Sequence, residues 1–425
     1  MFYSIFHKTL TLFSFLFCMI VASAQVNDAA NSLIIDNSIH TLNILSDNNI
    51  SNIPIIKLNS NKHITINFDY FQEDSNDLPY KIIHCNADWK KSYLSDLNYI
   101  DGFTDNYIST YELSFNTNVN YTHYSLKIPN EDIKLTKSGN YKLLVFKDDN
   151  KTDTLLIANF YIIEPITSIK GQVRTCTNPK FLKTSQEVDF TIDYSNIKVF
   201  NPIVNFRTFV WQNGDQLNKK ELKPIFIREH SLSFDYNEEN VFKAGNEFRQ
   251  FNTSNNKYIG RYIHSITEDN NYSYYNLTPA YNRHYKSYRY EKDINGKYII
   301  KSTNEEDPNT ESDYVYVNFT LAMDTPLNKE IYVYGELSNW GLSDKFKLKY
   351  NLKLRAYTLS LLLKQGYYNY EYLVVDKKKN TYDNSFIEGS HYQTENDYYI
   401  TVYLRDYSNN YDRLVGFKQL NSNLN

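Results

Sequence analysis

Cysteine, methionine and glycine are scarce in this chain: its 425 residues include 3 Cys, 3 Met and 12 Gly. So few cysteines exclude a disulfide framework, and no Cys-x-x-Cys spacing indicates a zinc or redox site. We expect Cys85 and Cys176 to be free buried thiols, with a single long-range bridge between them as the alternative.

Positive charge is not in excess, because 45 Lys and Arg face 49 Asp and Glu for a formal net charge of −4. This balance gives no electrostatic reason to expect nucleic acid. No two histidines beyond the N-terminus lie two or four positions apart, so the spacing predicts no metal site. The acid pairs Glu238-Glu239 and Glu305-Glu306 are interpreted as solvated faces rather than a glycosidase pair. We predict no catalytic residues and no cofactor.

Long apolar runs are also missing beyond the N-terminus. There, Lys8 precedes the run Leu10–Ala22, which ends in Ala22-Ser23-Ala24. This pattern predicts a secretory signal peptide at 1–24, cleaved after Ala24, and the bulky Phe17 before Cys18 disfavours lipidation. No later segment approaches the roughly 20 apolar residues of a membrane helix. The sequence predicts an exported protein that is not inserted in a membrane.

Aromatic residues are abundant, with 40 Tyr and 25 Phe, and aromatic side chains favour strands. Period-two alternation between turn residues indicates an all-β chain of tandem immunoglobulin-like β-sandwich domains. The predicted units are a β-sandwich at 25–165, a β-rich domain at 166–301, a linker at 302–312 and an immunoglobulin-like sandwich at 313–425. The one helix candidate is Asp88–Tyr99, with Trp89, Tyr93, Leu94 and Leu97 on its inner face.

The segment Tyr332–Trp340 resembles the strand and turn of glycogen-recognition-type (E-set) sandwiches. In such domains a Trp after the turn can stack on a sugar ring. The same turn occurs where the Trp packs against a neighbouring strand, and packing is the favoured interpretation here.

Two segments favour recognition over chemistry. The segment Pro224–Phe251 is predicted to form two strands joined by a polar connection. It carries no metal-ligand set, nucleophile elbow or phosphate-binding loop. The Tyr-rich run at 272–290 interleaves aromatic and basic side chains, which are favoured at protein–protein hot spots. Core packing of alternate tyrosines is the alternative. The residues predicted to bind a partner are Tyr281, Arg283, Tyr285, Tyr288 and Arg289.

Several motifs together resemble the plug proteins of the Bacteroidetes type IX secretion system. These motifs are His84-Cys85-Asn86-Ala87-Asp88-Trp89, Tyr99–Phe103, Ser114–Thr117, Tyr121–Tyr124, Pro129–Asp132, Thr136–Tyr141, Asn240–Phe242, Gly245–Arg249, Glu291–Gly296 and Tyr411–Phe417. Their order and spacing extend the resemblance over essentially the whole mature chain.

The resemblance implies a non-catalytic periplasmic protein, peripheral to the inner side of the outer membrane. Its partner would be the outer-membrane translocon β-barrel, whose pore it would occlude when no substrate is present. The alternative is a periplasmic glycan-binding protein that acts through the last sandwich and requires an exposed Trp340. An enzyme is the weakest interpretation.

Overall fold

The computed structural model describes residues 30–47, 53–72, 76–236, 238–256, 258–269, 272–303 and 306–423. The predicted signal peptide at 1–24 lies outside these ranges. The prediction of an all-β fold is confirmed. Within these ranges, four single-turn α-helices interrupt the strands: α1 (Asp96–Tyr99), α2 (Pro202–Asn205), α3 (Pro308–Glu311) and α4 (Ser385–Glu388). No helix in the described ranges is long and apolar enough to cross a membrane.

The first part of the chain forms one sandwich. Its strands are β1 (Leu33–Ile34), β2 (Ile39–Ser46), β3 (Ile55–Lys57), β4 (Ile64–Tyr70), β5 (Leu78–Cys85), β6 (Ile100–Gly102), β7 (Asn106–Ile108), β8 (Tyr111–Leu113), β9 (Thr122–Ile128), β10 (Ile133–Leu135), β11 (Gly139–Phe146) and β12 (Thr154–Ile163). One sheet has the order β1-β12-β11-β5-β7, with β3 parallel to β12, and the other has the order β2-β4-β9-β8. Alternate apolar side chains of the two sheets form a shared core.

The rest of the chain contributes three groups of strands. The first group is β13 (Ser168–Thr175), β14 (Ser185–Asp193), β15 (Phe206–Gln212), β16 (Lys220–Leu222), β17 (Phe226–Arg228), β18 (Ser231–Phe234) and β19 (Val241–Lys243). The second is β20 (Arg249–Asn252), β21 (Ile263–Asp269), β22 (Tyr272–Leu277), β23 (Tyr298–Ile300), β24 (Tyr314–Ala322), β25 (Glu330–Tyr334), β26 (Lys349–Asn351), β27 (Ala356–Lys364), β28 (Gly366–Asp376) and β29 (Thr381–Asp383). The last is the hairpin β30 (Asp397–Asp406) and β31 (Tyr411–Asn421).

The second sandwich is completed by the C-terminal hairpin. One of its sheets has the order β13-β14-β18-β17, with β19 also on β14, and the other has the order β16-β15-β30-β31. The third sandwich, built from β20–β29, is therefore an insertion between β19 and β30. Its sheets have the orders β20-β28-β23, with β25 and β29 also on β28, and β21-β22-β24-β27-β26.

This topology corrects the predicted units at 166–301 and 313–425. Strands β20–β23 belong with the later segment, and β30–β31 belong with the earlier one. Period-two alternation locates strands but does not identify their partners, and the pairing of β15 with β30 joins residues far apart in the chain.

Residues 306–312 of the predicted linker at 302–312 pack against the first sandwich. This stretch contains α3, and the side chains of Thr310 and Ser312 are buried. The Tyr121 hydroxyl donates to the Ser312 carbonyl at 2.9 Å, and the Phe115 N–H donates to the Thr310 carbonyl at 3.0 Å. The polar composition of this segment indicated a solvated linker. Its backbone carbonyls instead accept hydrogen bonds from the first sandwich.

The helix predicted at Asp88–Tyr99 is wrong except for its last turn, α1. Trp89 lies in a tight turn at a φ of 62°, and its N–H donates to the Asn86 carbonyl at 2.9 Å. Trp89 and Leu94 are buried, whereas Tyr93 and Leu97 are exposed. An interrupted backbone cannot place all four side chains on one face. The prediction that Cys85 and Cys176 are free and buried is confirmed.

The sandwiches contact one another through buried side chains. Between the first and second sandwiches lies a cluster that includes Trp89, Tyr161, Trp211, Tyr399 and Leu414. Between the first and third, the Tyr298 hydroxyl donates to the Leu42 carbonyl at 2.9 Å. Because these contacts are buried, the three sandwiches pack against one another, and their exposed loops extend from this packed body.

Candidate functional site

The loop that joins β22 to β23, residues 278–297, carries all five residues predicted to bind a partner. We call it the tyrosine loop. Tyr285 is 94% exposed and Tyr281 is 62% exposed. Arg289 is also exposed. These three side chains project from a segment without regular secondary structure, and they are available for contact.

The other two predicted residues make contacts inside the protein. The Arg283 guanidinium donates through Nε to Glu388 Oε2 at 2.6 Å and through Nη2 to the Glu247 carbonyl at 2.5 Å. The Tyr288 hydroxyl donates to Glu247 Oε1 at 2.5 Å and to the Gln393 carbonyl at 3.2 Å. The structure therefore places Arg283 and Tyr288 where they hold the tyrosine loop on the third sandwich.

Glu388, at the end of α4, is the centre of this attachment. Its buried carboxylate also accepts from Arg249 Nε at 3.0 Å and from the Tyr372 N–H at 2.9 Å. Burial alone would raise the pKa of Glu388, but the charges of Arg249 and Arg283 outweigh that effect and hold the pKa below its ordinary value. The loop is thus attached by an ionised, fully bonded group.

Sequence reasoning missed Glu388 as a loop-holding residue. It lies about a hundred residues from Arg283, and nothing in the local sequence Ser385–Glu388 indicates an ion pair. Arg249 was indicated by the sequence, because it is the last residue of the Gly245–Arg249 motif that contributes to the family resemblance.

A second loop, between β20 and β21, adjoins the tyrosine loop. The Tyr262 hydroxyl donates to Glu291 Oε1 at 2.5 Å, and Arg261 Nη1 lies 2.9 Å from the same oxygen. The two loops together carry large exposed side chains, and we call this set the aromatic surface: Tyr258, Ile259, Tyr262, Tyr281, Tyr285 and Tyr290.

Trp340, by contrast, is 8% exposed. Its ring lies edge-on to Tyr334 and Phe248, with centroid separations of 5.4 Å and 6.1 Å. The Asn31 amide donates to its carbonyl at 2.8 Å. The exposed ring that the glycan-binding alternative requires is therefore absent at Trp340, and the residue packs inside the protein.

Among the described residues, one acidic group has the spacing of a metal site: Glu187, Asp189 and Asp235. The Arg174 guanidinium occupies its centre, with Nη2 at 2.8 Å from Glu187 and 3.1 Å from Asp235, and with Nε on Asp189. Burial raises the pKa of Asp189 to about 6, against the lowering effect of Arg174. The arginine makes this group an internal charge network.

Comparisons with known proteins agree with this architecture. A family model described as the type 9 secretion system plug protein first domain matches residues 39–164. A crystal structure of a hypothetical protein from Parabacteroides merdae ATCC 43184 is similar over 92% of this chain and 99% of that chain, with 34% identity and a TM-score of 0.89. No curated protein matches the sequence. The chain belongs to the type 9 secretion system plug protein family.

Proposed function

We propose that this protein is a non-catalytic periplasmic plug that binds the outer-membrane translocon of the type IX secretion system and occludes its pore. Membership of the plug protein family supports this assignment. The structural observation that carries it is the aromatic surface, exposed on loops that are held in place by internal ion pairs and hydrogen bonds.

A wide aqueous pore would leak solutes, so a plug must cover it through protein contacts without entering lipid. Tyrosine and arginine are enriched at the few interface positions that carry most binding energy. Tyr281, Tyr285 and Arg289 are exposed on the tyrosine loop, and we assign them to the contact with the translocon barrel. They supply apolar area and a positive charge on the same loop.

Pre-ordering of the loop favours binding. A loop that is mobile before association loses conformational freedom on binding, which weakens the affinity. Here the Arg283–Glu388 and Tyr288–Glu247 bonds fix the loop before any partner arrives. We therefore assign Arg283 and Tyr288 a positioning role, behind the contact residues.

The binding part of the proposal is tested by affinity capture from detergent-solubilised membranes of the native host. Tagged wild type should retain one very large β-barrel in near-equal amount, and Tyr281→Ala/Tyr285→Ala should retain much less. The matched control is Leu352→Ala/Leu354→Ala, which removes two exposed apolar side chains from the turn before β27 and should bind like wild type.

The occlusion part is tested by ion conductance of the purified barrel in a planar bilayer. Wild type added to the periplasmic side should lower the conductance, and the double tyrosine variant should not. Failure to recover a barrel, combined with retention of the protein on a polysaccharide resin, would instead support the glycan-binding alternative.

A further inference from the structure

The three tryptophans of the chain come from three different sandwiches and line one cavity. Trp89 follows β5 of the first sandwich, Trp211 lies in β15 of the second, and Trp340 follows β25 of the third. The cavity has a volume of about 120 Å³ and lies where the three sandwiches meet. Tyr161 and Tyr399 complete its aromatic lining.

Polar atoms in this lining lack the bonds that buried groups normally make. Trp89 Nε1, Trp211 Nε1 and the Tyr399 hydroxyl are buried and have no hydrogen-bond partner within the described part of the chain. A buried donor without a partner loses its hydrogen bond to water and gains none in return, which destabilises the fold. Gln216 Oε1, an acceptor in the same lining, also has no partner among the described residues. The three donors around one cavity indicate an occupant that accepts hydrogen bonds.

Charge and shape define the kind of occupant. Lys297 and Glu336 are both in the lining. Burial lowers the pKa of Lys297 and raises the pKa of Glu336, and in both cases it outweighs the opposing effect of the other side chain's charge. Because burial disfavours charge here, an uncharged occupant fits better than an ion. The lining combines polar side chains such as Asn31 and Gln216 with five aromatic side chains, and the faces of their rings pack better against a flat ring than against water. An apolar cavity of about 150 Å³ holds benzene, so this one takes a ring of about that size or smaller.

We propose that the junction of the three sandwiches is a binding site for a small, uncharged, ring-shaped molecule that carries a hydrogen-bond acceptor. The ring contacts the aromatic walls, and the acceptor receives hydrogen bonds from the indole and phenol groups. This site is separate from the aromatic surface and does not depend on the proposed contact with the translocon.

The three tryptophans make the site directly observable, because the chain contains 3 Trp and each gives one indole N–H resonance. Full-length protein labelled with ¹⁵N at the tryptophan indoles is titrated with pyridine, which is ring-shaped, neutral above its own pKa and an acceptor. Benzene is the matched probe without an acceptor. Trp→Phe variants assign the resonances.

We expect millimolar pyridine to shift the Trp89 and Trp211 resonances saturably, and benzene to bind several-fold more weakly. Tyr399→Phe removes one unpartnered hydroxyl and should weaken pyridine binding several-fold. Tyr403→Phe is the control on the same strand, because its hydroxyl donates to Asn140 Oδ1 at 2.7 Å outside the cavity lining. Both variants keep the ring, so the fold should survive.

Two outcomes overturn the proposal. If neither probe gives a saturable shift, whether or not the indole protons show contacts with bound water, the cavity binds no such ligand. If pyridine and benzene bind equally and Tyr399→Phe has no effect, the unpartnered donors do not select the occupant.

Discussion

Lys364 and Asp69 form a buried ion pair between the third and first sandwiches. Lys364 Nζ lies 2.6 Å from Asp69 Oδ2, and each side chain is 1% exposed. The Tyr314 hydroxyl donates to the same Asp69 oxygen at 2.7 Å. The Lys364 ammonium also lies 4.1 Å from the Tyr121 ring centroid. His123 Nδ1 lies 2.6 Å from the other Asp69 oxygen. Because Lys364 and Asp69 are withdrawn from water and come from different sandwiches, we expect their pair to stabilise the contact between the two.

Lys364→Met should destabilise the protein by about 3–5 kcal/mol, because it removes the ammonium from the buried Asp69 carboxylate and leaves only its contacts with His123 and Tyr314. The free energy of unfolding in urea is the measurement. Lys347→Met is the control, because its pair with Glu330 at 2.7 Å is partly exposed and should contribute about 1 kcal/mol or less. An equal effect of the two variants would show that Lys364 is not a buried link between sandwiches.

Glu371 should make the protein less stable as the pH rises. A carboxylate in an ordinary ion pair has the opposite effect, because its stabilisation is lost as the pH falls. Burial, together with the negative charge of Glu388, raises the pKa of Glu371 from 4.5 to about 8. The folded protein therefore keeps a proton that the unfolded chain releases, and stability falls as the pH rises from the unfolded to the folded pKa.

Glu371→Gln removes this titration while keeping a side chain of similar shape that can accept from Asn384. We expect the urea midpoint of this variant to fall less than that of wild type between about pH 5 and pH 8. Glu330→Gln is the control. Burial would raise the pKa of Glu330, but Lys347 and Tyr332 outweigh it and lower the pKa to about 2, so this group does not titrate between about pH 5 and pH 8. A wild-type slope retained in Glu371→Gln would contradict the assignment.

The strands could be predicted from sequence because a half-buried strand requires alternation. In the sequence, apolar residues recur along the runs His63–Phe68 and Tyr141–Phe146. The first run overlaps β4 and the second lies within β11. The alternation carries no information on pairing, so the insertion of the third sandwich could not be predicted. The exposure of Tyr281 and Tyr285 was consistent with the interface interpretation, whereas the internal contacts of Arg283 and Tyr288 depend on Glu388 and Glu247, which are distant in sequence.

The motifs that carried the family resemblance have a physical basis in the fold. The Ala87 N–H donates to Asp412 Oδ2 at 3.1 Å, and the Asp412 N–H donates to Asn86 Oδ1 at 3.1 Å. The segments His84–Trp89 and Tyr411–Phe417 thus meet at the contact between the first and second sandwiches. A resemblance spread over distant segments reflects an interface that brings them together.

Arg283→Gln should loosen the tyrosine loop without unfolding the protein. The variant loses the ion pair to Glu388, although Arg249 still neutralises that carboxylate, so we expect a cost of about 2 kcal/mol. Limited trypsin digestion should cleave after Lys286 and Arg289 faster than in wild type. Arg261→Gln is the comparison, because its ion pair joins the neighbouring loop to Glu291 of the tyrosine loop through an arginine that is 64% exposed. Such an exposed pair contributes little, so we expect its loss to speed cleavage less than the loss of Arg283. Unchanged cleavage in Arg283→Gln would mean that Glu388 does not hold the loop.

Gly214→Ala tests the packing of Trp340 against the second sandwich. A Cβ at Gly214 would lie 2.1 Å from Trp340 Nε1 and 2.4 Å from Cε2, so the indole must move. We expect a loss of about 1–3 kcal/mol, the usual cost of overpacking a core.

A shift in tryptophan emission should accompany this loss, because the displaced ring changes its surroundings. Gly341→Ala is the control, since its Cβ would meet no atom closer than the Ser338 carbonyl at 3.3 Å. If Gly214→Ala were as stable as Gly341→Ala and had unchanged emission, Trp340 would have to lie away from the turn after β15. The exposed sugar-binding role would then have to be considered again for this residue.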